Sequence, residues 1–300
     1  MGRSGSIGSA LVRAARQLCP FLRGDSTLGA VMERLGVDGV EIAWEQRGSG
    51  EPPLMLVHGY TGSSTDFIDH IDYFAKSRRV LTLDLRGHGQ SSHAAPETYT
   101  LDQLTDDLIA VIEHTSDEPV DLLGHSMGGR IVMLAAIARP DLVRSLILMN
   151  TTATKFEDTW AYVRTVTDQL RIRGMDFLDE NPYVEPGDWR LSDESLRLRR
   201  ANRDVLDVEA FIELARELSE GPPVLEELST LDKPVTIVVG RRDQIRGASK
   251  EMAKEIPGSV LHQIRRAYHF PQLSNPDQWR AVIDEHLDRV GASTAGTDTR

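Results

Sequence analysis

The sequence predicts an α/β fold, a mostly parallel sheet with helices on both faces, and three observations carry that expectation. Short apolar runs recur along the chain, at Leu54–Val57, Val80–Leu83, Val120–Leu123, Ser145–Met149, Val235–Val239 and Val260–Ile264. Their apolar character is mostly continuous rather than alternating, which marks strands buried on both faces. Helical patterns separate most of the runs, as the crossovers of a parallel sheet require. The chain of 300 residues, 40% hydrophobic and 27% charged, is long enough to bury such a sheet.

Taken in order, residues 1–35 are rich in Gly, Ser and Arg at first and then mildly helical, and read as an N-terminal extension. Ala10-Leu11-Val12 is broken by Arg13 and Arg16, so the unbroken apolar stretch of ~7–15 residues that a signal peptide needs is missing. The segment reads either as a short basic amphipathic helix that touches a membrane or another chain, or as a loosely docked extension. Val40 to Gln46 alternates apolar and polar residues, the pattern of a half-exposed strand, and Arg47-Gly48-Ser49-Gly50 is a turn signal. Leu101 to His114 places Leu104, Leu108, Ile109, Val111 and Ile112 on one helical side. Arg130 to Arg139 is mostly apolar until Pro140 stops it.

The rhythm breaks at about residue 155. From there to about 230 the chain has no strong strand candidate, many charges and helical periodicity in Ala210–Leu218, so it reads as a helical insertion. The expected organisation is a core of residues 36–152 and 231–290, a helical segment at 153–230 and a small, polar, disordered tail at 291–300.

Composition excludes several classes of function. A net charge of −12 argues against nucleic acid as a partner, since phosphate binding needs a basic face. No apolar run approaches the ~20 residues that span a bilayer. The single cysteine, Cys19, allows no intrachain disulfide and fits a reducing compartment, which points to the cytoplasm. There is no H-E-x-x-H, no cysteine pair and no histidine set with ligand spacing, so no metal is expected. No dinucleotide fingerprint or Walker-type motif occurs, so no cofactor is expected, and the partner is read as a small molecule.

Chemistry concentrates just past the ends of the apolar runs. Gly124-His125-Ser126-Met127-Gly128 joins a buried strand to an apolar helix, the setting of a nucleophile elbow. Glycine at the flanking positions lets neighbouring chain pass close to a strained serine. A serine hydroxyl is a weak nucleophile near neutral pH and needs an adjacent base and an orienting acid. His269 and Asp243 each follow a late strand, which gives the chain order Ser126, Asp243, His269. His262 and His286 lie inside a strand and a helix, and Asp232 precedes its strand. After the run Ser145–Met149 the chain reads Asn150-Thr151-Thr152 and offers no carboxylate.

His58-Gly59-Tyr60 follows the run at 54–57, and acyl transfer needs preset N–H donors for an oxyanion. Tyr60 and Met127 are the expected donors, with His58 holding the loop. Asp84-Leu85-Arg86-Gly87-His88-Gly89-Gln90-Ser91 is a polar loop at the same edge, expected to shape the surroundings.

These motifs together resemble the α/β-hydrolase superfamily over roughly residues 40–290. The resemblance implies an eight-stranded sheet, a helical cap after strand six and a site between cap and core. It is nearest to small capped esterases, C–C bond hydrolases and cofactor-free haloperoxidase-like members. Serine rather than aspartate at 126 sets the chain apart from the family's dehalogenases and epoxide hydrolases. Ala267-Tyr268-His269 departs from the small residues often found before the base.

The expected function is cleavage of a carboxylic ester or related carbonyl compound through an acyl-enzyme. C–C cleavage of a dienoate-like ketone and ligand sensing on the same fold stay open. Arg197, Arg199, Arg200 and Arg203 read either as a site for a carboxylate or phosphate or as a solvated helix face, and the second is preferred. Trp160, Tyr162, Phe177, Trp189 and Phe211 read either as a pocket lining or as packing of the helical segment on itself.

Overall fold

A computed structural model describes residues 32–181 and 191–295. Their frame is a sheet of β1 (Glu33–Val37), β2 (Val40–Arg47), β3 (Leu54–Val57), β4 (Val80–Leu83), β5 (Val120–His125), β6 (Val143–Met149), β7 (Val235–Gly240) and β8 (Val260–Ile264). The spatial order is β1-β2-β4-β3-β5-β6-β7-β8. The β1–β2 and β2–β4 pairings are antiparallel; from β4 to β8 every pairing is parallel.

Helices α1 (Ile68–Phe74), α2 (Leu101–Thr115) and α3 (Met127–Ala138) connect the first strands. Between β6 and β7 lie α4 (Glu157–Arg173), α5 (Phe177–Glu180), α6 (Asp193–Asp204), α7 (Val208–Glu220) and α8 (Leu225–Ser229). The chain closes with α9 (Arg246–Glu255), α10 (Pro271–Ser274) and α11 (Pro276–Ala295).

Successive side chains of a strand point to opposite faces, and the core divides accordingly. On β3, Met55 and Val57 join Leu104, Leu108, Ile131 and Val132 of α2 and α3. Leu54 and Leu56 join Phe74 of α1 with Trp279 and Ile283 of α11. A sheet covered on both faces is what the uninterrupted runs encode, and β3, β4, β5 and β7 are buried along their whole length.

β1 corrects the reading of the N-terminal stretch. Residues 33–37 form a strand, so the expected boundary at residue 35 falls inside it. Glu33-Arg34-Leu35-Gly36-Val37 has weak strand propensity, and three of the five residues are exposed. The signal lies in the turn, where Asp38 (φ 44°) and Gly39 (φ 82°) occupy the two left-handed positions of a tight Asp-Gly hairpin. At the other end, α11 continues past Gly291 to Ala295, into the stretch expected to be a tail. Alanines at 292 and 295 are good helix formers, and small polar residues between them do not break the helix. Residues 1–31, with Cys19 and the amphipathic reading, and residues 296–300 lie outside the described residues. No helix among the described residues is long and apolar enough to cross a membrane.

The helical segment leaves and rejoins the sheet at one place. The Val224 N–H donates to the Ala153 carbonyl at 2.9 Å, and the Phe156 N–H to the Leu218 carbonyl at 3.0 Å. Arg130 of α3 is buried beneath this base and donates to the carbonyls of Thr152 and Pro222, one on each stem. Burial pushes its guanidinium down to about 10.

Candidate functional site

Parallel strands end at a common edge, and the residues singled out above stand just beyond it: His58 after β3, Asp84 after β4, Ser126 after β5, Asp243 after β7 and His269 after β8. This is where ligand sites of open α/β sheets assemble.

Ser126 is held at φ 53°, ψ −115°, between β5 and α3. A non-glycine residue rarely adopts that region, at a cost of about 1–3 kcal/mol, unless its surroundings enforce it. Here the Ser126 N–H donates to the Met149 carbonyl at 2.9 Å, and the Ser126 carbonyl accepts from the Thr151 hydroxyl at 2.7 Å. The flanking glycines make the turn possible. A Cβ on Gly128 would press on the carbonyls of Val57 and His58, and one on Gly124 on the backbone of Gly128 and Gly129. Gly128→Ala is therefore expected to lower stability by roughly 2–3 kcal/mol, read as a lower urea midpoint. Gly247→Ala is the control, because a Cβ there meets nothing within 4 Å and α9 gains helix propensity.

His269 Nε2 lies 3.0 Å from Ser126 Oγ, and its Nδ1 lies 2.9 Å from Asp243 Oδ2. The three side chains thus form one hydrogen-bonded chain, each of them buried. Burial alone would raise the Asp243 carboxyl. The charge and hydrogen bond of His269, the Asn150 amide and the Ile245 N–H more than offset it, leaving the carboxyl below its usual value.

Asn150 is a residue that sequence reasoning passed over. It was dismissed for carrying no carboxylate, yet its Nδ2 donates to Asp243 Oδ2 and, at 2.9 Å, to the Tyr268 carbonyl. It ties the loops of Asp243 and His269 together from the end of β6, with its own backbone at φ 45°. The available signal was its place, an amide one residue past a buried strand at the functional edge. His125 was missed as well. Its Nε2 lies 2.8 Å from the His269 carbonyl, so the residue before Ser126 steadies the loop of His269.

Tyr60 lines the cleft at Ser126, and Met127 opens α3, where first-turn amides have no partner within the helix. His58 accepts from the Leu85 N–H at Nε2 (3.0 Å), so Nδ1 carries the proton and donates to the Gly59 carbonyl at 2.8 Å. Burial, then the neighbouring His88, hold its imidazole well below the ordinary value, consistent with that neutral tautomer. His88 Nε2 lies 2.6 Å from the Tyr60 carbonyl. Both histidines therefore grip the loop that bears Tyr60. The Tyr60 ring stacks on Phe211 of α7 at 5.1 Å, and its hydroxyl donates to the Phe211 carbonyl.

The cleft is lined by Ser126, His125, Phe270, the Gly59–Gly62 loop, Asp66 and Arg199. Arg199 corrects the preferred reading of its cluster. Arg197 and Arg200 are exposed and Arg203 is half-buried, with Arg200 and Arg203 paired to Asp179 at 2.8 and 2.6 Å. Arg199 instead turns inward, its guanidinium 3.8 Å over the Phe270 ring and 3.4 Å from the Thr61 hydroxyl. Helical spacing explains the split, since neighbours at 199 and 200 stand about 100° apart around the axis. Among the aromatics of the helical segment, Phe177 and Phe211 are buried in its packing, Trp160 packs against the same core, and Trp189 lies outside the described residues. None of the four described ones lines the cleft.

No group of three or more His, Cys, Asp or Glu side chains able to hold a metal occurs among the described residues. The rejected histidines lie away from Ser126. His262 faces Glu285 at 3.8 Å, and His286 is buried against Ser145 and Thr236.

Comparison with known proteins agrees with this architecture. Residues 52–171 match the family model described as the alpha/beta hydrolase fold. The chain is 26% identical over 270 residues to the dihydrolipoyllysine-residue acetyltransferase component of an acetoin cleaving system from Cupriavidus necator, covering 88% of this chain and 71% of that one. It is 26% identical over 272 residues to a 2-hydroxymuconate semialdehyde hydrolase from a Pseudomonas species, covering 85% and 93%. Among solved structures, a carboxylesterase of Nitrososphaera gargenis superposes with a TM-score of 0.76 at 25% identity, covering 87% of this chain and all of the other. By its eight-stranded sheet, its matched family model and these relatives, the chain has the α/β-hydrolase fold.

Proposed function

We propose that the protein is a serine hydrolase that cleaves a carboxylic ester or related carbonyl substrate through an acyl-enzyme. The hydrogen-bonded chain from Ser126 through His269 to Asp243 is the observation that carries this reading.

In the first step Ser126 Oγ attacks the substrate carbonyl while His269 Nε2 takes its proton. Asp243, ionised and pinned by Asn150, holds the imidazole with Nδ1 protonated and stabilises the imidazolium as it forms. The carbonyl oxygen gains negative charge, which the N–H groups of Tyr60 and Met127 receive. Collapse of the tetrahedral adduct passes the proton from His269 to the leaving alcohol. A water then repeats the sequence on the acyl-enzyme, with His269 again as base, and frees the acid and Ser126. The segment at 153–230 acts as the cap over this chemistry, with Arg199 and the Tyr60–Phe211 contact as its links to the cleft.

A p-nitrophenyl ester series from acetate to dodecanoate tests the reading. Turnover with a chain-length optimum supports it, as does a fluorophosphonate adduct located by mass spectrometry on Ser126. A second reading, C–C bond cleavage by the same residues, gains from Arg199 in the cleft and from the resemblance to the 2-hydroxymuconate semialdehyde hydrolase. Esters left untouched, with a dienoate ketone consumed, would favour it.

Asp243→Asn is expected to lower kcat by about three to four orders of magnitude. An amide that donates to Nδ1 reverses the tautomer and leaves Nε2 protonated toward Ser126. Burst kinetics of ester cleavage would show the acylation step slowed. A loss of less than tenfold would assign Asp243 a merely structural place.

A further inference from the structure

The arginines of this acidic chain fall into two populations. Many are paired: Arg86 with Asp107, Arg144 with Asp121, Arg139 with Glu113 and Asp141, Arg171 with Glu209. Arg241, Arg242, Arg265 and Arg266 are exposed and join none of the ion pairs among the described residues. They stand together. The Arg241 N–H donates to the Ile264 carbonyl at 2.9 Å and the Arg242 N–H to the Ala267 carbonyl at 3.0 Å, which stitches their two loops side by side. Arg246 adds a fifth guanidinium, 3.3 Å from the Arg241 carbonyl. These are the loops that carry Asp243 and His269. On a protein of net charge −12, a crowd of like charges at the functional edge repels itself, a cost that an arriving anion offsets.

Arg199 supplies an independent observation inside the cleft. Its guanidinium is fixed over the Phe270 ring, one residue past His269, in the cleft that Ser126 lines. A planar fork of N–H donors held in place is the side chain best matched to a carboxylate. Asp66 lines the same cleft, with Oδ1 accepting from Asn202 at 3.3 Å, and disfavours a second anion on its own side. The two charges together orient a substrate's anionic end toward Arg199.

We propose that the substrates of this site carry a carboxylate remote from the bond that is cleaved, that Arg199 holds it, and that the arginines at 241, 242, 265 and 266 draw it in from solution. The proposal gives the hydrolase reading a substrate class and relies on that reading for turnover, though not for binding.

The test compares two esters that differ at the far end of the acyl chain, mono-p-nitrophenyl adipate and p-nitrophenyl hexanoate. Wild type is expected to prefer the adipate ester in kcat/KM. Arg199→Met lowers the adipate-to-hexanoate ratio roughly tenfold to a hundredfold, and Arg199→Lys restores part of it. Arg241, Arg242, Arg265 and Arg266 changed together to Gln lower kcat/KM for adipate at low ionic strength several-fold and flatten its decline with salt. Titration calorimetry of monomethyl adipate into Ser126→Ala and Ser126→Ala/Arg199→Met reads binding without turnover, and the second variant should bind at least about tenfold more weakly.

Equal binding by the two variants overturns the proposal, as does a wild-type preference for hexanoate. An unchanged salt response in the fourfold variant overturns the part assigned to the loops. If neither ester is cleaved in a Ser126-dependent way, the serine reading fails, and the calorimetric comparison alone decides for or against the carboxylate.

Discussion

Ser126→Ala is expected to lower kcat for ester cleavage by at least about five orders of magnitude, with the protein still folded. Without Oγ there is no atom for the acyl group to bond, and His269 is left without the proton it is placed to take. Stability should change little. Alanine pays the same left-handed backbone cost at φ 53° as serine, and the backbone bonds to Met149 and Thr151 do not involve the hydroxyl. The loss is one hydrogen bond to His269, worth about 1 kcal/mol. Steady-state rates on purified wild type and variant, with urea unfolding of both, check the two halves. Residual activity above a few per cent would sink the acyl-enzyme mechanism.

Acid should destabilise the protein steeply, through two histidines remote from Ser126. His286 Nε2 donates to Ser145 Oγ at 2.8 Å, and that hydroxyl in turn donates to Asp121. Its Nδ1 accepts from the Arg289 guanidinium at 3.2 Å and from the Thr236 hydroxyl at 2.8 Å. A proton on Nδ1 would have to replace those donors beside a cation. Burial first, then the charges of Arg289, Arg144 and Arg78, push this imidazole down to about 3. His70 is built alike, with Nδ1 accepting from Arg280 at 3.0 Å and Nε2 donating to the Gln272 carbonyl at 3.1 Å. Burial, then Arg280, push it down to about 4.

Both groups titrate near 6.5 in the unfolded chain, so between that pH and their folded values the unfolded state binds the extra protons. Stability is therefore full above about pH 6.5 and declines as pH falls toward the folded values. By pH 4.5 each imidazole has lost about two units, together roughly 5 kcal/mol at about 1.4 kcal/mol per unit. That is a large part of a typical margin of about 5–15 kcal/mol. Urea unfolding at pH 7 and 4.5 should show this loss in wild type and a much smaller one in His70→Gln/His286→Gln. Parallel pH dependence in the two proteins would place the acid sensitivity elsewhere.

The sheet was legible because burial on both faces leaves a trace that needs no partner to interpret: an uninterrupted apolar run such as Leu54–Val57. The serine turn was legible for a related reason, since crowding by Val57, His58 and Gly129 admits only glycine at 124 and 128. β1 was not, because an exposed edge strand needs no apolar pattern and its evidence sits in two turn residues. Asn150 escaped because its part depends on what stands across from it, and the sequence does not say that Asp243 does. Arg199 escaped for the opposite reason. It belongs to a run of arginines with nearby acids, and only the packing of α6 against Phe270 separates it from its neighbours.

The closed base of the helical segment bears on how such a protein can be altered. The Ala153–Val224 backbone bond and the Arg130 side chain bring the two stems to one spot on the core. Whatever lies between them meets the hydrogen-bonded chain of Ser126, His269 and Asp243 through that shared foundation. Segments from other proteins of this fold, cut at the same two stems, become interchangeable parts. Such chimaeras would inherit a new appetite for substrates while the reacting atoms stay where they are.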